Sequence, residues 1–233
     1  MNSNPVTLNV ILYDNRYFFI PYAIFLLFGG IALTVYPKGE ILIWLNGHHS
    51  DFLDHFFKYF TLLGDGMFFL FFLLPLMMVK IRFALHGLSA YLMSGMFAQI
   101  FKRFFNEPRP KKWFAEVDLL HFVEGVNVHS YYSFPSGHTS AGFSLFLFLS
   151  FIIKNNYLKS VFFLMAVCVG FSRVYLLQHF FIDIYFGSVV GVVFTTFCYL
   201  LFVNWRKLNE APWMNKNLFY PFVLNRKKKL SSQ

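Results

Sequence analysis

Residues 17–36 read YFFIPYAIFLLFGGIALTVY and contain no charged side chain. This length matches the roughly 20 apolar residues that an α-helix needs to cross a bilayer. The whole chain has the same character, since 57% of its 233 residues are hydrophobic, 13% are charged and the mean hydropathy is +0.53. A soluble domain carries about a quarter charged residues. The composition therefore indicates a membrane protein, and it excludes a disordered, collagen-like or disulfide-stapled secreted chain.

Further apolar stretches along the chain have the composition of membrane spans, and several of them end at Lys or Arg. We predict spans at residues 17–36, 65–79, 83–101, 139–153, 160–172 and 184–205. These spans predict an all-α fold, a polytopic bundle of six transmembrane helices. The first span is too long for a signal-peptide core. Because no repeat or linker divides the chain, we expect residues 1–233 to form a single membrane domain.

The segment 40–58 between the first two spans mixes apolar and polar residues at helical spacing. This pattern predicts an amphipathic helix that lies in the membrane interface. The segment also contains five potential metal ligands: His48, His49, Asp51, Asp54 and His55. Their spacing matches no known metal site, so we interpret them as a solvated polar face.

The distribution of Lys and Arg predicts the orientation in the membrane. With six spans both termini lie on one side, and the tail from about residue 206 to 233 is strongly basic, with Glu210 as its one acidic residue. Basic segments beside membrane spans favour the cytoplasm. We therefore expect both termini in the cytoplasm, a location in the cytoplasmic (inner) membrane, and contact of the tail with anionic lipid rather than nucleic acid.

Three clusters of polar residues lie at span ends on the opposite, extracytoplasmic side. They are Lys102-x6-Arg109-Pro110, then Pro135-Ser136-Gly137-His138, then Ser172-Arg173-x5-His179-x3-Asp183. The first cluster places positive charge on the side where the topology rule disfavours it, which indicates a functional reason.

The first two clusters have the chemistry of a phosphate site. Lys102 and Arg109 repel each other unless an anion lies between them, and Arg binds phosphate oxygens in pairs. Gly137 opens a predicted helix, where backbone N–H groups face an anion, and Ser136 adds a hydroxyl donor. Taken alone, each cluster is equally explained by basic residues at the interface or by a helix cap.

The third cluster has the chemistry of a nucleophile. His179 and Asp183 are four residues apart and share one face if they share a helix. Asp183 then accepts the Nδ1 proton and leaves Nε2 free to attack. The alternative is a polar pair inside a helix bundle, but ionisable residues within membranes are costly and usually functional.

Together the clusters resemble the three-part signature of the type 2 phosphatidic acid phosphatase (PAP2) superfamily. Every fixed position of that signature is present at the family's spacing within residues 102–183. The family includes membrane lipid phosphatases, bacterial diphosphatases of polyprenyl lipids, lipid A phosphatases and soluble vanadium haloperoxidases. The six predicted spans resemble its membrane branch.

The resemblance implies a role for each motif residue. His179 attacks phosphorus and carries a phosphohistidine, Asp183 orients it, and His138 protonates the leaving group and then activates water. The residues expected to bind the phosphate oxygens are Lys102, Arg109, Ser136, Gly137 and Arg173. Because cations and helix N–H groups then stabilise the transferred phosphoryl group, we expect no metal and no cofactor, and a bell-shaped pH profile.

The sequence thus predicts a metal-independent phosphatase of lipid phosphates or diphosphates. We place a polyprenyl diphosphate or a glycerolipid phosphate first among substrates, and lipid A phosphate remains an alternative. A lipid phosphotransferase with the same intermediate is a second hypothesis. A transporter is disfavoured because the motif residues lie at span ends, and a haloperoxidase is disfavoured by the membrane spans. We interpret Trp113, Phe114 and Tyr131 as an interfacial aromatic belt rather than headgroup ligands, and expect the lipid tail between Phe-rich helices.

Overall fold

The computed structural model of the protein describes residues 5–115 and 120–217, and within these residues it contains helices and no strands. The α-helices are α1 (Leu8–Asp14), α2 (Arg16–Val35), α3 (Glu40–Gly47), α4 (Asp51–Phe60), α5 (Gly66–Val79), α6 (Ile81–Phe105), α7 (Pro110–Trp113), α8 (Gly137–Ile152), α9 (Asn156–Tyr175), α10 (Phe181–Asn204) and α11 (Arg206–Asn209). Short 3₁₀ helices follow α4 and α11, at Thr61–Gly64 and Pro212–Asn215. The predicted all-α class is confirmed. The basic tail beyond residue 217 lies outside the described residues.

Each of the six predicted spans coincides with one helix, namely α2, α5, α6, α8, α9 or α10. By length and apolar composition, α2, α9 and α10 are able to cross a membrane. The segments 51–64 and 66–79 are bent by 60° at their junction and make a fourth candidate if they form one span. α8 is apolar but shorter. The chain is therefore a membrane-embedded helical protein.

Helix α8 forms the centre of the bundle, since its residues 139–150 are buried without interruption. Helix α10 packs so closely against α8 that two of its glycines contact the α8 backbone. A Cβ atom at Gly191 would lie 2.5 Å from the carbonyl oxygen of Ser140, and one at Gly187 would lie 2.7 Å from that of Ser136. Small residues at such contacts let helices approach closely inside a membrane. This packing places the beginning of α8 directly beside the beginning of α10.

The segment 40–58 differs from the single amphipathic helix that its periodicity predicts. It forms two helices, α3 and α4, because the chain is interrupted at residues 48–50. Ser50 caps the second helix, and its hydroxyl accepts a hydrogen bond from the backbone N–H of Leu53 at 3.4 Å. A favourable N-cap starts a new helix where hydrophobic periodicity alone indicates a continuous one.

Three of the potential metal ligands in this segment have other hydrogen-bond partners. The Nδ1 atoms of His48 and His55 lie 2.7 and 2.8 Å from backbone carbonyl oxygens one turn earlier. Asp54 lies 2.7 Å from the imidazole of His121. Across residues 5–115 and 120–217, no group of three or more His, Cys, Asp or Glu side chains has the arrangement of a metal site.

The loop between α7 and α8 is anchored across one end of the bundle by α3 and α4. The side-chain amide of Asn46 bonds both the backbone oxygen and the backbone N–H of His121, at 2.8 and 2.9 Å. The carboxylate of Asp54 contacts the His121 ring and also accepts a hydrogen bond from the hydroxyl of Tyr175 at the end of α9. These contacts hold the loop against the same end of the bundle at which α8 and α10 begin.

Candidate active site

The three polar clusters meet at one end of the bundle, around a cavity of about 470 Å³. The last turns of α6 and α9 and the first turn of α8 contribute to its walls. Five of the expected site residues line the cavity: Lys102, Arg109, Gly137, His138 and Arg173. The other three, Ser136, His179 and Asp183, are buried, with exposures of 0, 1 and 1%.

Three positive side chains are buried at this site without a carboxylate partner. Lys102, Arg109 and Arg173 are 9, 7 and 7% exposed. Among the described residues, no Asp or Glu oxygen lies within 4.0 Å of their nitrogens. Burying like charges without a counter-ion is costly. An arrangement of this kind favours a bound anion with several oxygens, such as a phosphoryl group.

Neutral oxygen acceptors orient the two guanidinium groups. Arg109 donates from Nε to the backbone oxygen of Tyr131 at 2.9 Å and from Nη1 to the side-chain oxygen of Gln178, also at 2.9 Å. Arg173 donates from Nη1 to the hydroxyl of Thr61 at 2.8 Å, while its buried Nε has no hydrogen-bond partner. These acceptors fix the direction of each group without neutralising its charge.

The beginning of α8 faces the cation cluster. A Cβ atom at Gly137 would lie 3.7 Å from the Lys102 ammonium, so the lysine reaches the first turn of the helix. The Ser136 hydroxyl acts as the helix N-cap, accepting from the backbone N–H of Thr139 at 3.3 Å and from its hydroxyl at 2.9 Å. Gly137 thus lies at the cavity, whereas the Ser136 side chain points toward the first turn of α8, which it caps.

His179 and Asp183 lie together, although they do not share a helix as their spacing suggests. Helix α10 begins at Phe181, so His179 precedes it and Asp183 lies in its first turn. The Nδ1 atom of His179 is 3.3 Å from Oδ2 of Asp183. The same oxygen accepts the backbone N–H of Phe180 at 2.9 Å. The carboxylate therefore caps the helix and orients the imidazole at once.

A tight turn between α9 and α10 connects the cation cluster to the imidazole. The backbone oxygen of Arg173 accepts hydrogen bonds from the N–H groups of Gln178 and His179, at 2.9 and 3.1 Å. Leu177, within this turn, has a left-handed backbone conformation with φ of 56°. The positions of Arg173 and His179 are therefore coupled through the backbone.

His138 lies near a carboxylate that sequence reasoning did not include in the site. Its Nε2 atom is 3.8 Å from Oδ2 of Asp65. The other carboxylate oxygen of Asp65 caps α5 by accepting the backbone N–H of Met67 at 2.8 Å. Asp65 therefore holds a fixed carboxylate beside the imidazole of His138.

Sequence reasoning missed four residues that contact the motif side chains: Thr61, Asp65, Ser133 and Gln178. Ser133 and Gln178 are close in sequence to Pro135 and His179, and this proximity to the motifs was a weak indication that they belong to the site. Thr61 had no signal, because it precedes its partner Arg173 by 112 residues.

The environment of His179 keeps its imidazole neutral. Burial, together with the positive charges of Arg109, Lys102 and Arg173, lowers the pKa of His179 well below its usual value of 6.5. A neutral imidazole with Nδ1 beside a carboxylate retains a lone pair on Nε2. The site therefore combines an uncharged imidazole with a cluster of cations that suits an anion.

Comparison with known proteins relates this chain to one family. The family model described as PAP2 superfamily matches residues 83–207, which include all three clusters. The chain is 31% identical over 174 residues to the lipid A 4'-phosphatase of Porphyromonas gingivalis, a match that covers 72% of this chain and 73% of that protein.

Two solved structures resemble the fold. The crystal structure of Aquifex aeolicus LpxE is 27% identical, with a TM-score of 0.60, and the match covers 72% of this chain and 98% of that one. The PAP2-type phosphatidylglycerolphosphate phosphatase of Bacillus subtilis is 21% identical, with a TM-score of 0.56, and the match covers 78% and 94%. At that identity the second likeness shows the fold alone.

Thr61→Val tests whether the orientation of Arg173 controls anion binding. The change removes the hydroxyl that accepts from Arg173 and leaves its side-chain volume nearly unchanged. A hydrogen bond to a charged group contributes about 1.5 kcal/mol, so the Kd for inorganic phosphate should rise about tenfold in titration calorimetry. Thr34→Val, at an exposed threonine of α2, is the control. An unchanged Kd in folded Thr61→Val protein would contradict this role.

The lowered pKa of His179 predicts its titration. Because the folded-state pKa lies below 6.5, the imidazole is neutral at pH 6.5 and becomes protonated only on further acidification. In ¹⁵N spectra of histidine-labelled protein, with His179→Ala for assignment, the midpoint should lie below pH 6.5. Added inorganic phosphate should raise it by offsetting the neighbouring cations. A midpoint at or above 6.5 without phosphate would refute the electrostatic description.

Proposed function

This chain belongs to the PAP2 superfamily, and we propose that it removes phosphate from a membrane lipid through a covalent phosphohistidine on His179. As a PAP2-type lipid phosphatase it requires a nucleophile and a site that stabilises a phosphoryl group. The observation that carries the proposed mechanism is the buried His179–Asp183 pair, at 3.3 Å, beside three buried cations that have no carboxylate oxygen within 4.0 Å in residues 5–115 and 120–217.

The first step is attack on phosphorus by Nε2 of His179. An N–P bond forms as the P–O bond to the lipid breaks, and the leaving oxygen takes a proton from His138. The carboxylate of Asp183 accepts a hydrogen bond from the Nδ1–H of His179 and stabilises the positive charge that develops on the attacking ring. The products of this step are a dephosphorylated lipid and a phosphorylated His179.

The second step reverses these roles for water. His138, now neutral, accepts a proton from water as its oxygen attacks the phosphorus, and the N–P bond breaks. Inorganic phosphate leaves and His138 is protonated again for the next cycle. The carboxylate of Asp65 lies 3.8 Å from the imidazole that exchanges these protons.

Charges of the protein itself stabilise the transferred group in this proposal. Lys102, Arg109 and Arg173 surround the equatorial oxygens, and the first turn of α8 at Gly137 adds backbone N–H donors. Preorganised donors of this kind supply most of the catalysis in phosphoryl transfer. Ser136 contributes by capping α8, so that its backbone is presented to the phosphate.

We further propose lipid A phosphate as the preferred substrate. The support is the Porphyromonas gingivalis relative, which is named a lipid A 4'-phosphatase and matches nearly three quarters of either chain. The polyprenyl diphosphate and glycerolipid phosphate that the sequence favoured have weaker support, because the Bacillus subtilis structure shares the fold alone.

The cavity offers room for a hydrocarbon chain. It extends along α6 from Lys102 to Tyr91, a distance of roughly 16 Å at about 1.5 Å per residue. Small residues line this part of the cavity, in contrast to the Phe-rich walls that we expected: Gly64, Gly66, Gly95, Ala98 and Ala141. We propose that the first part of the lipid tail lies in this groove.

We propose six spans, with both termini in the cytoplasm and the cavity on the extracytoplasmic face. Basic residues at the opposite end of the bundle, such as Lys80 and Lys154, support this orientation. Exposed apolar side chains on α3 and α4, including Trp44 and Phe52, support an interfacial position for these two helices. The basic tail then faces anionic lipid in the cytoplasmic leaflet.

Phosphate release by detergent-purified protein in excess EDTA tests the proposed function. The panel contains lipid A phosphate, a polyprenyl diphosphate and phosphatidate, and lipid A phosphate should give the highest kcat/KM. Activity should persist in EDTA, and His179→Ala should lose more than 1,000-fold in kcat, roughly the share of a covalent nucleophile. His55→Ala, on the exposed face of α4, is the control.

Substantial turnover by His179→Ala, or a strict metal requirement, would overturn the mechanism. Transfer of phosphate to a lipid or sugar hydroxyl, without release of free phosphate, would indicate the phosphotransferase instead.

Gly95→Leu tests the groove. A Cβ built at Gly95 meets no atom of another part of the chain within 4 Å, so the position has room to begin a larger side chain at the groove. The KM for a long-chain lipid phosphate should rise about tenfold, consistent with the loss of a few buried methylene groups. The kcat/KM for soluble para-nitrophenyl phosphate should stay unchanged. Gly47→Leu in α3, equally free of neighbours, is the control. Equal effects on both substrates would argue against a tail site.

A further inference from the structure

Ser133 lies outside the three motifs, yet it contacts both members of the His179–Asp183 pair. Its side chain is fully buried, with an exposure of 0%. The hydroxyl donates to Oδ2 of Asp183 at 2.5 Å, and its oxygen is 3.5 Å from Nδ1 of His179. Ser133 is not among the residues that line the cavity, so it does not contact the phosphate site directly.

The backbone around Ser133 is held in place by the segment that precedes α7. The N–H of Ser133 donates to the backbone oxygen of Glu107 at 3.0 Å, and the N–H of Arg109 donates to the backbone oxygen of Ser130 at 2.9 Å. These two backbone hydrogen bonds join residues 107–109 to residues 130–133, and they position both the Ser133 hydroxyl and Arg109. Its location beside Asp183 is a fixed feature of the folded site.

The hydrogen-bond chemistry of this group favours one arrangement of protons. An ionised Asp183 carboxylate has only acceptors, so the proton between it and Ser133 comes from the serine hydroxyl. The lone pairs of the serine oxygen then face Nδ1 of His179. With Asp183 ionised, both oxygens near Nδ1 act as acceptors, and this arrangement favours the tautomer that carries the ring proton on Nδ1.

We propose that Ser133 is a positioning residue that, together with Asp183, favours the Nδ1–H tautomer of His179 and so leaves Nε2 as the nucleophile. It acts through Asp183 and His179 and touches neither the phosphate nor the lipid. The inference rests on the nucleophilic role proposed for His179. It assigns to the loop before α8 a part in preparing the nucleophile, in addition to its contact with Arg109.

Ser133→Ala is the first test. Outer partners of functional histidines typically contribute 10- to 100-fold to activity, so kcat should fall by about that factor. The Kd for inorganic phosphate and the KM for the lipid should stay within about twofold of the wild type, since the cations are untouched. Ser150→Ala, a fully buried serine that bonds only the backbone of its own helix, is the matched control.

Ser133→Cys separates the hydroxyl from its packing. The thiol nearly preserves the volume but is a weak donor, so its kcat should fall almost as far as in Ser133→Ala. A wild-type kcat in Ser133→Cys or Ser133→Ala would overturn the proposal. So would a parallel loss of kcat and phosphate affinity, which indicates a general disturbance of the site.

A double-mutant cycle with Asp183→Asn tests whether Ser133 acts through the pair. Groups that work as a unit lose activity non-additively. Ser133→Ala in the Asp183→Asn background should therefore reduce kcat by less than about threefold. A full additional loss, equal to that in the wild-type background, would contradict the proposal.

The tautomer is observable without turnover. The ¹⁵N shifts of His179 should show a protonated Nδ1 and an unprotonated Nε2 in the wild type, and a mixture of tautomers in Ser133→Ala. The same Nδ1–H tautomer in both proteins would overturn the inference while leaving the phosphatase intact. By contrast, an inactive wild type, or an active His179→Ala, would overturn the proposed function itself.

Discussion

The burial of three positive charges at one end of an apolar bundle is the constraint on which the rest of the site depends. Lys102, Arg109 and Arg173 belong to different segments of the chain, and their repulsion opposes their approach. The packing of α8 against α6, α9 and α10 must hold them together. Burial and the resulting excess of positive charge also lower the pKa of His179 and keep it neutral, so one arrangement serves both the anion and the proposed nucleophile.

The loop between α7 and α8 connects the surface of the bundle to this centre. Asn46 and Asp54 anchor its first part through His121, and its last part delivers Ser133 to Asp183. Between these points its backbone accepts a hydrogen bond from Arg109. Residues 121–133 of this loop, although irregular in secondary structure, are thus tied at both ends by hydrogen bonds to helices or to the motif residues.

The helices were largely predictable from the sequence, since long apolar stretches have few stable conformations in a membrane. The six predicted spans coincide with helices to within a few residues. The segment 40–58 was not predictable as a whole, because its periodicity continues across the break that the Ser50 cap introduces. Whether His179 shares a helix with Asp183 was also open, because a spacing of four residues fits both a helix and the turn that precedes α10.

The sequence by itself determined the membrane class, the position of the helices and the identity of the motif side chains, because these depend on composition and on short spacings. Only the tertiary structure decided which neighbours complete the site. Thr61 meets Arg173, Asp65 meets His138 and Ser133 meets Asp183 across gaps of 50 residues or more. Such contacts depend on helix packing and loop anchoring to within an ångström, and periodicity along one chain carries no information about that distance.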